Sequence, residues 1–189
     1  ACRKLLEVLM QASPAAVTRD RLEHALWGDE PPDGDMLRSH IYELRRSVDG
    51  PFDVKLIREV IGSDIKLMCD INQRWRSEQA IDIGHKVEEA GVGLFWLEDV
   101  TAADDYQGLA RVTAALKTPI AGGEYVWGIA PFRQMIEAHS VDIVMIDLAR
   151  VGGVTQWMKV AGMAEAFNLP VVSHVMPEML VHMVAACPN

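Results

Sequence analysis

Five residues with chemical potential, Asp70, Glu98, Glu124, Asp147 and His174, each close an apolar run that reads as a β-strand. They follow one another at intervals of 28, 26, 23 and 27 residues, about one strand–helix unit each. Side chains at the carboxyl ends of successive parallel strands converge on one mouth of a barrel or sheet. Three carboxylates gathered there, from Asp70, Glu98 and Glu124, repel one another and need a cation. Oxygen-only ligation with few protein donors suits Mg²⁺, which leaves water or substrate oxygens to complete its octahedron. Asp147 and His174 would then be neighbours on adjacent strands. A carboxylate beside an imidazole fixes the tautomer and raises the histidine pKa. Such a base can take a proton from carbon if the resulting charge is held elsewhere, for example by a divalent cation on a substrate carboxylate.

The elements that must position these side chains alternate regularly. Strand-like runs are expected at 65–69, 94–97, 119–121, 143–146 and 170–173. Helical patterns follow at 77–90, 106–116, 132–138, 156–167 and 178–186. Strand–helix alternation with short loops argues for parallel strands joined by crossovers. Gly152-Gly153 lacks the further glycines and the lysine of a phosphate-cradling loop and reads as a βα turn. His182 is expected to pack on the helix face of Glu178, and Cys69 to point away from the face that carries Asp70.

Residues 1–57 have a different texture. A helix is expected over 4–11 and a second after Thr18 as N-cap; Asp29-Glu30-Pro31-Pro32-Asp33-Gly34 is a loop. Asp35 then caps a third helix in which Leu37, Ile41, Leu44 and Val48 form one apolar stripe, with Arg38, Tyr42, Arg45 and Arg46 on the other side. Three short helices, the last with a basic face, suit a helix-turn-helix.

Composition sets the outer limits. The chain has 189 residues, half of them apolar, with a net charge of −9. It can bury a core, and its acidity disfavours indiscriminate binding to nucleic acid or anionic membranes. No apolar run reaches the roughly 20 residues needed to span a bilayer. The N-terminus lacks the apolar core of a secretory signal. Three widely spaced cysteines, Cys2, Cys69 and Cys187, do not form a disulfide framework. The expected location is cytoplasmic, with no membrane partner.

Residues from about 58 to 189 resemble the barrel domain of the enolase superfamily, mandelate racemase subgroup. The resemblance rests on Asp70-Ile71-Asn72-Gln73, Trp96-Leu97-Glu98-Asp99, Gly123-Glu124, the run from Asp147-Leu148-Ala149-Arg150 through Val151-Gly152-Gly153-Val154-Thr155, and Ser173-His174-Val175-Met176-Pro177-Glu178. It implies that Asp70, Glu98 and Glu124 are Mg²⁺ ligands and that His174 is the acid/base with Asp147 as its partner. It further implies that Glu178 hydrogen-bonds the substrate carboxylate or enediolate and that Asn72 supports the metal or substrate side. The family usually has two acidic residues or Glu-Gln and then proline here, whereas in this sequence Glu98 is followed by Asp99-Val100. The upstream Lys-x-Lys that supplies the opposite-face base has no counterpart. Nor do the capping domain, the first two strands and the eighth, so five of the eight βα units are expected.

Residues 1–57 resemble the winged-helix output domain of response regulators, through Leu5-Leu6-Glu7-Val8-Leu9-Met10, Thr18-Arg19-Asp20-Arg21-Leu22, Leu26-Trp27-Gly28 and the run from Leu37-Arg38-Ser39-His40-Ile41 to Tyr42-Glu43-Leu44-Arg45-Arg46. The wing would begin near Lys55-Leu56-Ile57, where the text changes to the barrel-like Arg58-Glu59-Val60-Ile61-Gly62. The expected fold class is therefore α/β: a truncated winged-helix segment (1–57), then a partial (β/α) barrel (58–189). The first strand and the last would be open edges able to support a homo-oligomer. The leading functional expectation is Mg²⁺-dependent removal of the proton α to a carboxylate in a hydroxy acid or acid sugar. With the lysine base missing, one-base dehydration is preferred to two-base racemisation. The alternatives are a transcription-regulator fragment that binds DNA through Arg38, Tyr42, Arg45 and Arg46, or a folded chimera without activity.

Overall fold

The structure, a computed structural model, describes residues 51–187. Arg38, Tyr42, Arg45 and Arg46, proposed for DNA, lie outside the described residues. Helix α1 (Pro51–Ile61) is continuous across residues 57 and 58. Its end is tied down by the Arg58 guanidinium, which donates to the carbonyls of Gly62 and Ile65, each at 2.7 Å. A division between Ile65 and Lys66 separates this stretch from a second compact unit.

That unit runs β1 (Met68–Asp70), α2 (Ser77–Glu89), β2 (Trp96–Glu98), α3 (Tyr106–Ala115), β3 (Ile120–Gly122), α4 (Ile129–Glu137), β4 (Ile143–Asp147), α5 (Leu148–Val151), α6 (Val154–Ala166), β5 (Val171–His174) and α7 (Pro177–Ala185). All five strands pair in parallel, in the order β1-β2-β3-β4-β5, and form a half-barrel. The expected alternation is present, but every ladder extends one residue beyond its apolar run, and all except β4 also begin later. Asp70, Glu98, Asp147 and His174 are thus the last residues of their strands. At β1, one edge of the sheet, one side has no ladder neighbour among the described residues, and Met68 stays nearly half exposed.

The core explains which strand is most apolar. Every residue of β4, Ile143-Val144-Met145-Ile146-Asp147, is buried, as a strand covered on both faces requires. Phe132, Met135 and Ile136 of α4 and Trp157 and Val160 of α6 are buried with it. The Trp157 indole N–H donates to the Ile146 carbonyl at 3.1 Å, so the large ring is buried without orphaning its polar atom. Helix α4 begins at Ile129, three residues before the expected start, because Pro131 falls in the first turn, where a missing N–H costs nothing.

Polar ties fix the seams between units. The Glu88 carboxylate accepts from the amides of Lys117 and Thr118, both at 2.7 Å, and burial, which would raise its pKa, is outweighed by these bonds. Asp142 accepts from the Ile120 amide at 2.8 Å, and its own amide donates to the Ile120 carbonyl at the same distance. At the carboxyl ends, the amides of Ile71, Gln73 and Trp75 donate to the carbonyls of Glu98, Asp99 and Val100. The loop after β1 is thereby zipped to the loop after β2. Among the described residues no helix is long and apolar enough to cross a membrane.

Candidate active site

The register places the chemistry. Asp70 pairs with Glu98 across β1 and β2, and Asp147 with His174 across β4 and β5. Glu124 is the exception: β3 ends at Gly122, and Glu124 lies two residues beyond it, after Gly123 at φ +126°. A side chain at Gly123 would strike the Met145 carbonyl, so this step off the sheet requires glycine.

His174 is held between two carboxylates. Its Nδ1 lies 2.7 Å from Asp147 Oδ2, and its Nε2 lies 3.0 Å from Glu124 Oε2. Asp147 and Glu124 are both buried. Asp147 also caps α5, since its Oδ1 accepts from the Arg150 amide at 2.7 Å. Burial alone would raise the Asp147 pKa. The hydrogen bonds from Arg150 and His174, with their charges, outweigh it and hold the carboxyl below its ordinary range. The backbone after His174 is strained, because Val175 and Met176 both take positive φ (43° and 45°), a conformation that costs a β-branched residue most. Such strain at the end of a site strand fixes the direction in which the histidine leaves the sheet.

The acidic side of the rim is less compact. The Asp70 Oδ1 accepts from the Asn72 amide at 2.7 Å, and the Glu98 Oε2 accepts from the Trp96 indole at 2.9 Å. Burial pushes the Glu98 pKa up; the Trp96 bond opposes this, and the charges of Asp70 and Glu124 add to it. Among the described residues no three His, Cys, Asp or Glu side chains stand close enough to share a metal ion; Glu124 is in contact with His174 and Arg150. The donor chemistry nonetheless fits Mg²⁺: two carboxylates at neighbouring strand ends and a third two residues beyond the next, with Glu98 destabilised by burial and by the charges of the other two.

Asn72 brings its side chain toward the same mouth, where its Oδ1 accepts from the Tyr125 hydroxyl at 3.2 Å. Glu178 stands exposed in the first turn of α7, with no hydrogen bond to His174 among the described residues. His182, expected to pack, is exposed as well, because the helix turns that face outward. Three residues escape the strand-end pattern. Arg150 donates to the Glu124 carbonyl at 3.0 Å, lies 3.8 Å from Glu124 Oε1, and stacks 4.6 Å from the Tyr125 ring centre. Asp99 is buried beside the acids, its Oδ2 without a hydrogen-bond partner among the described residues, and burial with the charges of Glu124, Glu98 and Asp70 pushes its pKa up to about 7. The sequence signal for Arg150 was its place three residues after an N-cap aspartate. Asp99 stood in the Trp96-Leu97-Glu98-Asp99 motif without a role of its own, and Tyr125 had no signal beyond adjacency to Glu124.

Comparison with known proteins gives two family matches. Residues 41–189 match the family described as "Enolase C-terminal domain-like", and residues 2–63 match "Transcriptional regulatory protein, C terminal". The L-talarate/galactarate dehydratase of Salmonella typhimurium is 36% identical over 132 residues, which cover 70% of this chain and 33% of that protein. The L-Ala-D/L-Glu epimerase of Bacillus subtilis is 36% identical over 113 residues, covering 60% and 31%. Among solved structures, the Salmonella dehydratase liganded with Mg and L-lyxarohydroxamate aligns with a TM-score of 0.70 at 33% identity, over 77% of this chain and 36% of that one. An enolase from Bradyrhizobium complexed with magnesium and mandelic acid gives 0.70 at 30% identity, over 80% and 46%. The chain spans about a third of the length of the curated relatives it matches.

Proposed function

Because the chain belongs to the enolase C-terminal domain-like family, we propose that its strand-end site removes the proton α to a carboxylate, in a hydroxy acid or acid sugar, as the first step of a dehydration. The observation that carries this reading is the Asp147–His174–Glu124 chain, with contacts of 2.7 and 3.0 Å. Asp147 accepts the Nδ1 proton, which leaves the Nε2 lone pair as the base. Nε2 takes the α-proton, and the electrons of the C–H bond pass into the carboxylate. The proton on Nε2 is then available to a departing β-hydroxyl, so a single histidine serves both halves. Asp70, Glu98 and Glu124 would hold Mg²⁺, with Glu124 giving up His174 to do so. When bound, the ion supplies the positive charge that offsets the enediolate. Asn72 is assigned to the substrate side. Glu178, exposed in the first turn of α7, is assigned to the substrate carboxylate or enediolate.

Proton exchange tests the assignment directly. Wild-type chain with Mg²⁺ in D₂O is offered a panel of hydroxy acids and acid sugars, and α-deuteration and water loss are followed by NMR. At least one substrate should exchange, and His174→Asn should abolish that exchange. Exchange that persists in His174→Asn, or no exchange by a wild-type chain shown to bind Mg²⁺, rejects the reading.

The match over residues 2–63 favours a second activity, DNA binding through Arg38, Tyr42, Arg45 and Arg46. Affinity for duplex DNA measured at two salt concentrations checks it: Arg45→Ala/Arg46→Ala should weaken binding and flatten the salt dependence. Equal affinity and slope would remove the recognition role.

A further inference from the structure

We infer that Arg150, braced by the Tyr125 ring, is a positioning residue that sets where the Glu124 carboxylate stands at the mouth of the half-barrel. The inference rests on the reading of Glu124 as a cation ligand. The other rim residues are placed by the sheet itself, since Asp70, Glu98, Asp147 and His174 are each in ladder register with a neighbour. Glu124 has no such support, because it follows the last paired residue of β3 and a glycine at positive φ. What holds it lies outside the ladder: His174 Nε2 stands 3.0 Å from one carboxylate oxygen, and Arg150 takes the other oxygen and the backbone carbonyl.

Arg150 is built to do so. Its guanidinium donates to the Glu124 carbonyl and lies beside the same residue's carboxylate, so it grips backbone and side chain together. A planar fork does this where an ammonium could not, and its flat face also lies over Tyr125. Tyr125 extends the brace to the loop after β1 through its hydroxyl on Asn72. The arginine is itself anchored, because its amide donates to Asp147, the partner of His174. One helical turn thus links the histidine pair to the displaced glutamate.

Two opposing effects give the test its sign. If Arg150 acts only as a neighbouring positive charge, its removal makes the rim more negative and Mg²⁺ binds more tightly. If it positions Glu124, its removal weakens the ion, by about tenfold or more for a lost supporting contact to a ligand. The experiment measures Mg²⁺ affinity of the full chain by calorimetry, together with hydrogen exchange of the metal-free protein over residues 123–127. Arg150→Met should raise the Mg²⁺ Kd at least tenfold and speed exchange in that segment, with β4 amides unchanged. Arg150→Lys should recover part of the affinity, and Tyr125→Phe, which keeps the ring, should lose less than Tyr125→Ala. Arg133→Met, which removes an exposed arginine paired with Glu137 on α4, is the control and should change neither readout. Unchanged or tighter Mg²⁺ binding in Arg150→Met, or unchanged exchange at 123–127, overturns the inference. If that variant does not fold, Arg150→Lys and Tyr125→Ala carry the same two readouts. A wild-type chain that binds no Mg²⁺, while the segment loosens in the variant, rejects the metal reading and leaves the brace standing.

Discussion

Asp99 offers the sharpest quantitative test, because it is a carboxyl only 4% exposed whose second oxygen has no partner among the described residues. Its pKa moves from 3.8 to about 7 through burial first, then through the charges of Glu124, Glu98 and Asp70. A raised folded-state pKa in an acid means that the folded chain binds the proton more tightly than the unfolded one. The group therefore favours the fold at low pH, and stability falls as pH rises from about 4 to about 7. At ~1.4 kcal/mol per pH unit, the interval between 3.8 and about 7 corresponds to about 4 kcal/mol. Asp99→Asn removes the titration and keeps an oxygen able to accept a hydrogen bond. Urea unfolding at several pH values from 4 to 8, with a chelator present, should give similar stabilities near pH 4. The variant should then gain progressively on the wild type and level off above pH 7. A difference that stays flat across the window, or that grows toward acid, refutes the account of Asp99 as a carboxyl kept neutral by its surroundings.

Three other perturbations have defined outcomes. Mg²⁺ at tenfold excess over its Kd should stabilise the wild type by about 1.4 kcal/mol, read as a rise in Tm, and Glu124→Ala should show no rise. Glu88→Gln should cost about 1–3 kcal/mol in denaturant titration by weakening two amide contacts at the α2–β3 seam. Since the Glu88 pKa is lowered on folding, that loss should shrink as pH falls through the carboxylate range. Trp157→Phe should cost about 0.5–1.5 kcal/mol for the lost indole hydrogen bond to the Ile146 carbonyl, measured in the same way.

The strand–helix alternation was legible because each βα unit repeats at a similar length and closes its strand with an acid or histidine. Register made those positions meaningful: Asp147 beside His174 is a consequence of parallel pairing, and the pair stands 2.7 Å apart. Three features were not legible. Helix α5 has only four residues, too few for an amphipathic period to register. The burial of Asp99 depends on which way its loop turns, and its φ of +43° is not written in residue type. Arg150 reads as a solvated cation until the loop after β3 comes to lie beside it. His182 was misplaced for a related reason, since a helix at the end of a sheet has fewer neighbours to bury its faces.

The sequential strand order has a consequence for how the molecule is made. Each strand finds its ladder partner one unit upstream, so no pairing waits for a distant stretch of polypeptide. Closing one strand–helix unit costs less chain entropy than closing several, although pairing across a crossover forms more slowly than a hairpin. A ribosome releasing the chain could therefore add one stave at a time to a growing edge, and a break or graft between staves would leave the earlier ones already seated.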